Sequence, residues 1–166
     1  MNYVAVSQLN TAQKQAIMQI WNEVYPVQLG HATILSFEKY LDPLQDEHHI
    51  LALAPDDTII GWFVTFERQD DRWFAMLLAH RVKGLGIGSE LLRQAKQKYR
   101  VLNGWVVAHN DYKLKDGSPY RSPLRFYAKN GFKILKENCL VNPTLEAVQV
   151  RWESKDTLKQ PSNLNE

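Results

Sequence analysis

The sequence predicts an α+β fold in which a mixed, mostly antiparallel sheet of about seven strands is flanked by about four helices. Three strand-like runs between residues 48 and 80 are separated only by the short polar turns DD and RQDD, which predicts an antiparallel meander. Further along, a helical pattern lies between two apolar runs, which predicts one parallel crossover. The 166 residues suit one domain, which we expect at residues 1–154, and residues 155–166 lose apolar periodicity and predict a flexible tail.

The N-terminal third predicts one strand and two helices. The run NYVAVSQL alternates apolar and polar residues and predicts the first strand. A helix is expected to begin at Thr11, which suits an N-cap, and to end before Pro26. Its apolar side chains form one stripe: Ala16, Ile17, Ile20, Trp21 and Val24. A shorter helix is predicted over SFEKYLDPL with Ser36 as its N-cap.

The remaining elements follow in the order strand, helix, strand, helix, strand pair. The meander consists of HHILALAP, TIIGWFVTFE and RWFAMLLAH. The run SELLRQAKQKY has helical spacing of its apolar residues, and GWVVAH reads as a strand buried on both faces. The fourth helix is predicted over SPLRFYAKNG, with Ser122 as N-cap, Pro123 at the first helical position and the Asn130-Gly131 pair as its stop. The runs FKILKENCL and EAVQVRWE predict a final strand pair.

Composition excludes several classes of function. A formal charge of +2 gives no electrostatic argument for a nucleic-acid partner. The single cysteine, Cys139, forms no intrachain disulfide, and the sequence has no Cys/His cluster with the spacing of a metal site. No apolar run approaches the roughly 20 residues of a membrane span, and no secretory signal is visible. We therefore expect a cytoplasmic protein without a membrane partner, and the last strands would allow pairing into a homodimer.

One strand-to-helix turn holds three of the eight glycines, Gly84, Gly86 and Gly88. Glycine permits positive φ and close approach of a ligand, and the following helix offers unpaired N–H groups, so the turn suits a phosphate or pyrophosphate. The turn lacks the Gly-Lys-Ser/Thr ending of a nucleotide-binding P-loop. Ser89 occupies the position of the third glycine in the dinucleotide fingerprint. A structural alternative is that the glycines only allow tight packing of the helix on the sheet.

The stretch MLLAHRVKGLGIGSELL resembles the acyl-CoA-binding motif of the GNAT superfamily of N-acetyltransferases, written Arg/Gln-x-x-Gly-x-Gly/Ala. Two registers fit: one assigns Arg81, Gly84 and Gly86 to the motif, and the other lies two residues further along. We choose the one that assigns Lys83, Gly86 and Gly88 to the motif, because the Leu91-Leu92 pair then stands at the family distance. Lysine replaces the usual arginine and would attract a pyrophosphate as a point charge.

A second family motif lies downstream in the expected order. SPLRFYAKNGF resembles the aromatic-Tyr-x-x-x-Gly-Phe segment, here Phe126-Tyr127 and Gly131-Phe132. The resemblance covers about residues 48 to 135 well and the rest of the chain more loosely. It implies a GNAT-like acyl-CoA N-acyltransferase fold and transfer of an acetyl group from acetyl-CoA to a primary amine on a small molecule or a peptide.

The resemblance also implies roles for individual residues. A backbone N–H near Leu78 would bind the thioester oxygen, and Tyr127 would be the general acid that protonates the leaving thiolate. The expected contacts with acetyl-CoA are Leu78, His80, Lys83, Gly84, Gly86, Gly88, Ser89 and Asn110. Where family members carry an asparagine seven residues before the tyrosine, this chain has Tyr120, so residues 110–122 look like an insertion.

The sequence leaves the general base open. Some family members place a glutamate on the strand before the glycine turn, and RWFAMLLAH has none. Glu67, His80 and His109 are candidates, each of which could instead be structural or solvated. A catalytically silent GNAT-fold module that senses acyl-CoA or binds a partner is the alternative function.

Overall fold

The computed structural model describes residues 1–155. Its strands are β1 (Asn2–Val6), β2 (Gln45–Leu53), β3 (Ile59–Arg68), β4 (Asp71–Leu78), β5 (Val101–Val106), β6 (Lys133–Asn142) and β7 (Leu145–Glu153). Its α-helices are α1 (Thr11–Val24), α2 (Ile34–Leu41), α3 (Ile87–Lys98) and α4 (Leu124–Lys129), with short 3-10 turns at Val27–Leu29 and His80–Val82. The predicted tail, residues 155–166, lies outside the described residues apart from Lys155.

All seven strands form one mixed sheet in the order β1-β2-β3-β4-β5-β7-β6. The strands β2, β3 and β4 form the predicted antiparallel meander, and β5, β7 and β6 are also antiparallel neighbours. The pair β4 and β5 is parallel, with α3 as its crossover, because a parallel neighbour cannot be reached by a tight turn. The predicted fold class is therefore confirmed.

The helices cover both faces of the sheet. Helices α1 and α2 pack on one face in a cluster that includes Ile17, Trp21, Phe37, Trp62 and Leu77. Helices α3 and α4 pack on the other face in a cluster that includes Phe63, Phe74, Leu91, Leu92 and Tyr127. Both clusters bury apolar side chains from the central strands, so the middle of the sheet is held from two sides. Within residues 1–155, no helix is long and apolar enough to cross a membrane.

The N-caps of the first two helices lie earlier in the chain than the sequence predicts. The N-cap of α1 is Asn10, not Thr11: its side chain accepts a hydrogen bond from the Gln13 N–H at 2.8 Å, and the Gln13 side chain accepts one from the Asn10 N–H at 2.9 Å. The N-cap of α2 is Thr33, not Ser36, because the Thr33 hydroxyl accepts from the Ser36 N–H. In both cases the N–H that donates to the cap lies three positions on, inside the helix.

The strand β5 covers residues 101–106, whereas the sequence predicts 104–109. The prediction was wrong because Asn103 looks unlike a buried strand residue, yet it is fully buried. Its side-chain nitrogen donates to the Arg72 carbonyl at 3.0 Å, and its oxygen accepts from Gln149 at 2.7 Å and Arg151 at 2.9 Å. These bonds satisfy the amide, so its burial carries no unpaired polar group.

The fourth helix begins at Leu124, and Pro123 rather than Ser122 occupies its N-cap position. The Ser122 hydroxyl still accepts from the Leu124 N–H at 3.3 Å, and it donates to the carbonyl of Val107, the residue directly after β5. This bond ties the start of α4 to the sheet and so fixes where Tyr127 lies.

Candidate functional site

A pocket opens where the parallel strands β4 and β5 separate. The two strands pair at a single position, Trp73 with Asn103, near the start of β4. Toward their C-terminal ends they diverge. The pocket there is lined by eight residues that the sequence predicts for the site: Leu78, His80, Lys83, Gly84, Gly86, Gly88, Ser89 and Tyr127.

The open edge of β4 presents main-chain groups to this pocket. The Ala79 N–H donates to the Ile60 carbonyl on β3 at 2.9 Å. Because main-chain groups alternate in direction along a strand, the N–H and C=O of Leu78 and of Met76 point the other way, toward β5. Since β5 does not pair with β4 at this level, these groups face the cleft.

The glycine bend uses its three glycines for two different reasons. Gly84 and Gly86 have φ values of +82° and +84°, and a Cβ at either position would meet no atom within 4 Å. They give the bend its left-handed backbone and leave open space above it. Gly88 lies inside α3, where a Cβ would come within 2.9 Å of the Phe126 ring and 3.3 Å of the Leu78 side chain. The predicted packing reason therefore applies to Gly88 and not to the other two.

The N-terminus of α3 faces the same space. Helices α1 and α2 have side-chain N-caps, whereas the N-cap of α3 is Gly86, which offers none. The first N–H groups of α3 thus lack the side-chain acceptor that the other two helices supply. Lys83 stands beside them, with a pKa lowered by desolvation at the pocket wall, an effect that Glu23 opposes. An anion bound at the bend would favour the charged form of this lysine.

Tyr127 closes the inner end of the pocket. It is 5% exposed and packs against the rings of Phe74, Phe126 and Phe132, with centroids between 5.1 and 5.6 Å away. Burial raises the pKa of its phenol well above the ordinary value of 10. Its hydroxyl forms no hydrogen bond with any residue in the range 1–155. The structure thus presents to the pocket a protonated phenol whose hydroxyl has no hydrogen-bond partner among the described residues.

Residues 110–122, which the sequence marks as an insertion, contain a hairpin over residues 112–120. Lys113 bridges to Pro119, and the Tyr120 N–H donates to the Tyr112 carbonyl at 2.9 Å. The Val27 N–H, just beyond α1, donates to the Lys113 carbonyl at 2.8 Å, which anchors the hairpin to the other side of the cleft. Residues of this segment line the pocket: Leu114, Asp116, Ser118, Pro119, Tyr120 and Arg121. The Asp116-Gly117 pair is a turn signal that the sequence already carries.

The pocket does not include every residue that the sequence singles out. Asn110 is exposed, and its side-chain oxygen accepts from the Ser122 N–H at 2.7 Å. Among the three base candidates, Glu67 lies at the far end of β3 and His109 packs on Tyr112 with ring centroids 4.5 Å apart. Only His80 lines the pocket, and its ring Nε2 lies 3.1 Å from the Glu23 carbonyl. Since a carbonyl can only accept, the Nε2 of His80 carries the hydrogen of this contact.

Comparison with solved structures shows the same fold in several acetyltransferases. An aminoglycoside 6'-N-acetyltransferase complexed with coenzyme A has a TM-score of 0.66 at 14% identity, over 92% of this chain and 97% of that one. A phosphinothricin acetyltransferase from Sinorhizobium meliloti in complex with AcCoA has a TM-score of 0.64 at 13% identity, over 98% and 94%. A spermidine N-acetyltransferase from Vibrio cholerae has a TM-score of 0.61 at 15% identity, over 92% and 95%. No curated relative matches the chain.

The sequence itself matches a family model. Residues 46–134 match the acetyltransferase (GNAT) domain, a range that runs from β2 through the glycine bend to the end of the Tyr127 segment. This range contains both sequence motifs and the pocket residues that they supply. The chain belongs to the GNAT family of acetyltransferases.

Proposed function

We propose that this protein is an acetyl-CoA-dependent N-acetyltransferase in which Tyr127 is the general acid. The observation that supports the proposal is one pocket that joins three features: the glycine bend at the N-terminus of α3, the open edge of β4, and the phenol of Tyr127. The residues fit the coenzyme. The open space above Gly84 and Gly86 would admit a diphosphate, and the bend and Lys83 would hold it by main-chain amides and charge.

Acetyl-CoA supplies an acetyl group activated as a thioester and a thiolate as leaving group. The cleft-facing amides of Met76 and Leu78 would donate to the thioester oxygen, where negative charge develops as the amine attacks. We expected this donor near Leu78, and the alternation of β4 adds Met76 as an equal candidate. No side chain is required for this step.

Tyr127 would protonate the sulfur as the carbon–sulfur bond breaks. With ordinary reference values, proton transfer from a phenol of pKa about 10 to a thiolate whose thiol has a pKa of about 8.5 costs about 2 kcal/mol. Burial raises the pKa of Tyr127 and so increases this cost. We therefore propose that proton transfer accompanies bond cleavage and does not precede it. The proton that the new amide nitrogen releases replaces the one that Tyr127 gives up, so the reaction is balanced.

Isothermal titration with acetyl-CoA and with CoA tests the first step. We expect both to bind the wild type, and Gly84→Ala to weaken binding about tenfold, because the Cβ strains a left-handed residue and occupies the space proposed for the diphosphate. Gly117→Ala is the matched control: its φ is +87° with no atom within 4 Å of the Cβ, but it lies in the hairpin. Equal affinities of the two variants would contradict this placement of the diphosphate.

Thiol release with a panel of amines tests the second step. Amine-dependent release supports the enzyme. Binding of CoA without release by any amine would instead indicate the sensor function. This function is the second candidate, because His80 is the only one of the three proposed general bases that lines the pocket.

A further inference from the structure

The wall of the pocket opposite the glycine bend is formed by the end of α1 and by the hairpin 112–120. If the bend holds the diphosphate and Tyr127 faces the sulfur, the attacking amine must approach along this wall. The following inference therefore rests on the proposed function and concerns the acceptor.

The inner part of this wall is apolar. Val24 and Leu114 are buried there, together with the ring of Tyr120, and the buried Leu77 of β4 lines the same pocket. Among the pocket-lining residues within 1–155, Asp116 supplies the only carboxylate; it is exposed and already accepts hydrogen bonds from the N–H and hydroxyl of Ser118. A polyamine would leave most of its charges unpaired on such a wall, and a sugar would leave its hydroxyls unpaired. An apolar body would instead be buried favourably.

One polar position stands out on this wall. The Tyr25 hydroxyl donates a long hydrogen bond, 3.4 Å, to the carbonyl oxygen of Met76 on β4, which leaves the hydroxyl oxygen able to accept. That carbonyl faces the cleft, on the same side as the amides proposed to hold the thioester oxygen. The Tyr25 ring is held edge-on by Trp21, with centroids 4.7 Å apart, and packs against the hairpin residues Leu114 and Tyr120.

We infer that the acceptor is a primary amine with an apolar or aromatic body, whose nitrogen is held between the Tyr25 hydroxyl and the Met76 carbonyl. A neutral amine has two N–H groups, and two fixed oxygen acceptors aim its lone pair away from themselves, into the cleft. The apolar wall favours the neutral form of the amine that the attack requires. As the carbon–nitrogen bond forms, the same two oxygens stabilise the positive nitrogen until its proton leaves through solvent and replaces the one that Tyr127 gives to the sulfur.

The test compares 2-phenylethylamine with spermidine as acceptors at saturating acetyl-CoA. We expect kcat/KM for 2-phenylethylamine to exceed that for spermidine at least tenfold. Tyr25→Phe should raise the KM for 2-phenylethylamine about three- to tenfold, the loss of one hydrogen bond. The Kd for CoA should stay unchanged, and the Tm should change little because the bond to Met76 that the variant also loses is long. Tyr40→Phe is the control, because Tyr40 also packs on Trp21, at 4.8 Å, but does not line the pocket.

Three outcomes would overturn the inference. Preference for spermidine would contradict the proposed apolar acceptor but would still agree with acetyltransferase activity. Equal KM values for the wild type and Tyr25→Phe would remove the role of the hydroxyl. Absence of thiol release with every amine, despite CoA binding, would overturn both this inference and the proposed function, so the two failures are distinguishable.

Discussion

Tyr127→Phe is expected to lower kcat about 100-fold or more while changing the Kd for acetyl-CoA less than about twofold. General acid catalysis contributes at least about this factor, and the phenyl ring preserves the packing against Phe74, Phe126 and Phe132. Steady-state kinetics with a saturating amine and titration with acetyl-CoA measure the two quantities. Because burial raises the pKa of this phenol, Tyr127 should stay protonated through pH 9, so its ionisation should cause no alkaline fall of kcat in that range.

Tyr120→Phe is the matched variant for this prediction. Tyr120 lines the same pocket, burial raises its pKa to about 12, and its hydroxyl also forms no hydrogen bond within residues 1–155. We expect it to lower kcat much less, because it belongs to the hairpin wall and not to the Tyr127 segment of the family motif. A greater loss with Tyr120→Phe would move the acid role to the hairpin. Unchanged kcat in Tyr127→Phe would end the acid role of that residue.

The features that sequence predicts well are those with local physical signals. Short polar turns predict the antiparallel meander, and a glycine-rich turn before an amphipathic helix predicts the glycine bend. The sequence could not separate the roles of the three glycines. In the sequence, nothing distinguishes Gly84 from Gly88. In the structure, Gly84 needs a positive φ, whereas Gly88 leaves room for Phe126, which lies on a helix that starts 36 residues after Gly88.

The features that sequence misses depend on partners far along the chain. The sequence does not show where β5 begins, because a polar Asn103 is not expected in a buried strand. Its side-chain amide can be buried only because it bonds to Arg72, Gln149 and Arg151, which lie 31 to 48 residues away. The hairpin is a similar case: its turn signal is visible, but its function as a pocket wall depends on the Val27 N–H that anchors Lys113. Tyr25 acquires its position only from this tertiary arrangement.

Acid should destabilise the protein through His49, which is expected to cost about 3 kcal/mol of unfolding free energy as the pH falls from about 6.5 to about 4. His49 is 1% exposed on β2, and its Nδ1 accepts from the Trp62 indole N–H at 3.1 Å, so its Nε2–H donates to Glu47 at 3.1 Å. Burial, reinforced by the charge of His48, lowers its pKa from 6.5 to about 4. The unfolded chain therefore binds a proton in this range while the folded chain does not, and stability falls with pH.

Urea unfolding from pH 7.5 to 4 of the wild type and His49→Gln measures this effect. Glutamine can accept from Trp62 and donate to Glu47 but does not titrate, so the advantage of the wild type at pH 7.5 should shrink by about 3 kcal/mol at pH 4. Glu47, whose pKa is raised by burial, is present in both proteins, so its opposite pH dependence largely cancels in the difference. His48→Gln removes only the charge that reinforces the shift and leaves the larger cause, burial, in place, so it should keep most of the pH dependence of the wild type. Parallel curves for the wild type and His49→Gln would contradict the titration of His49 as the cause of the acid destabilisation.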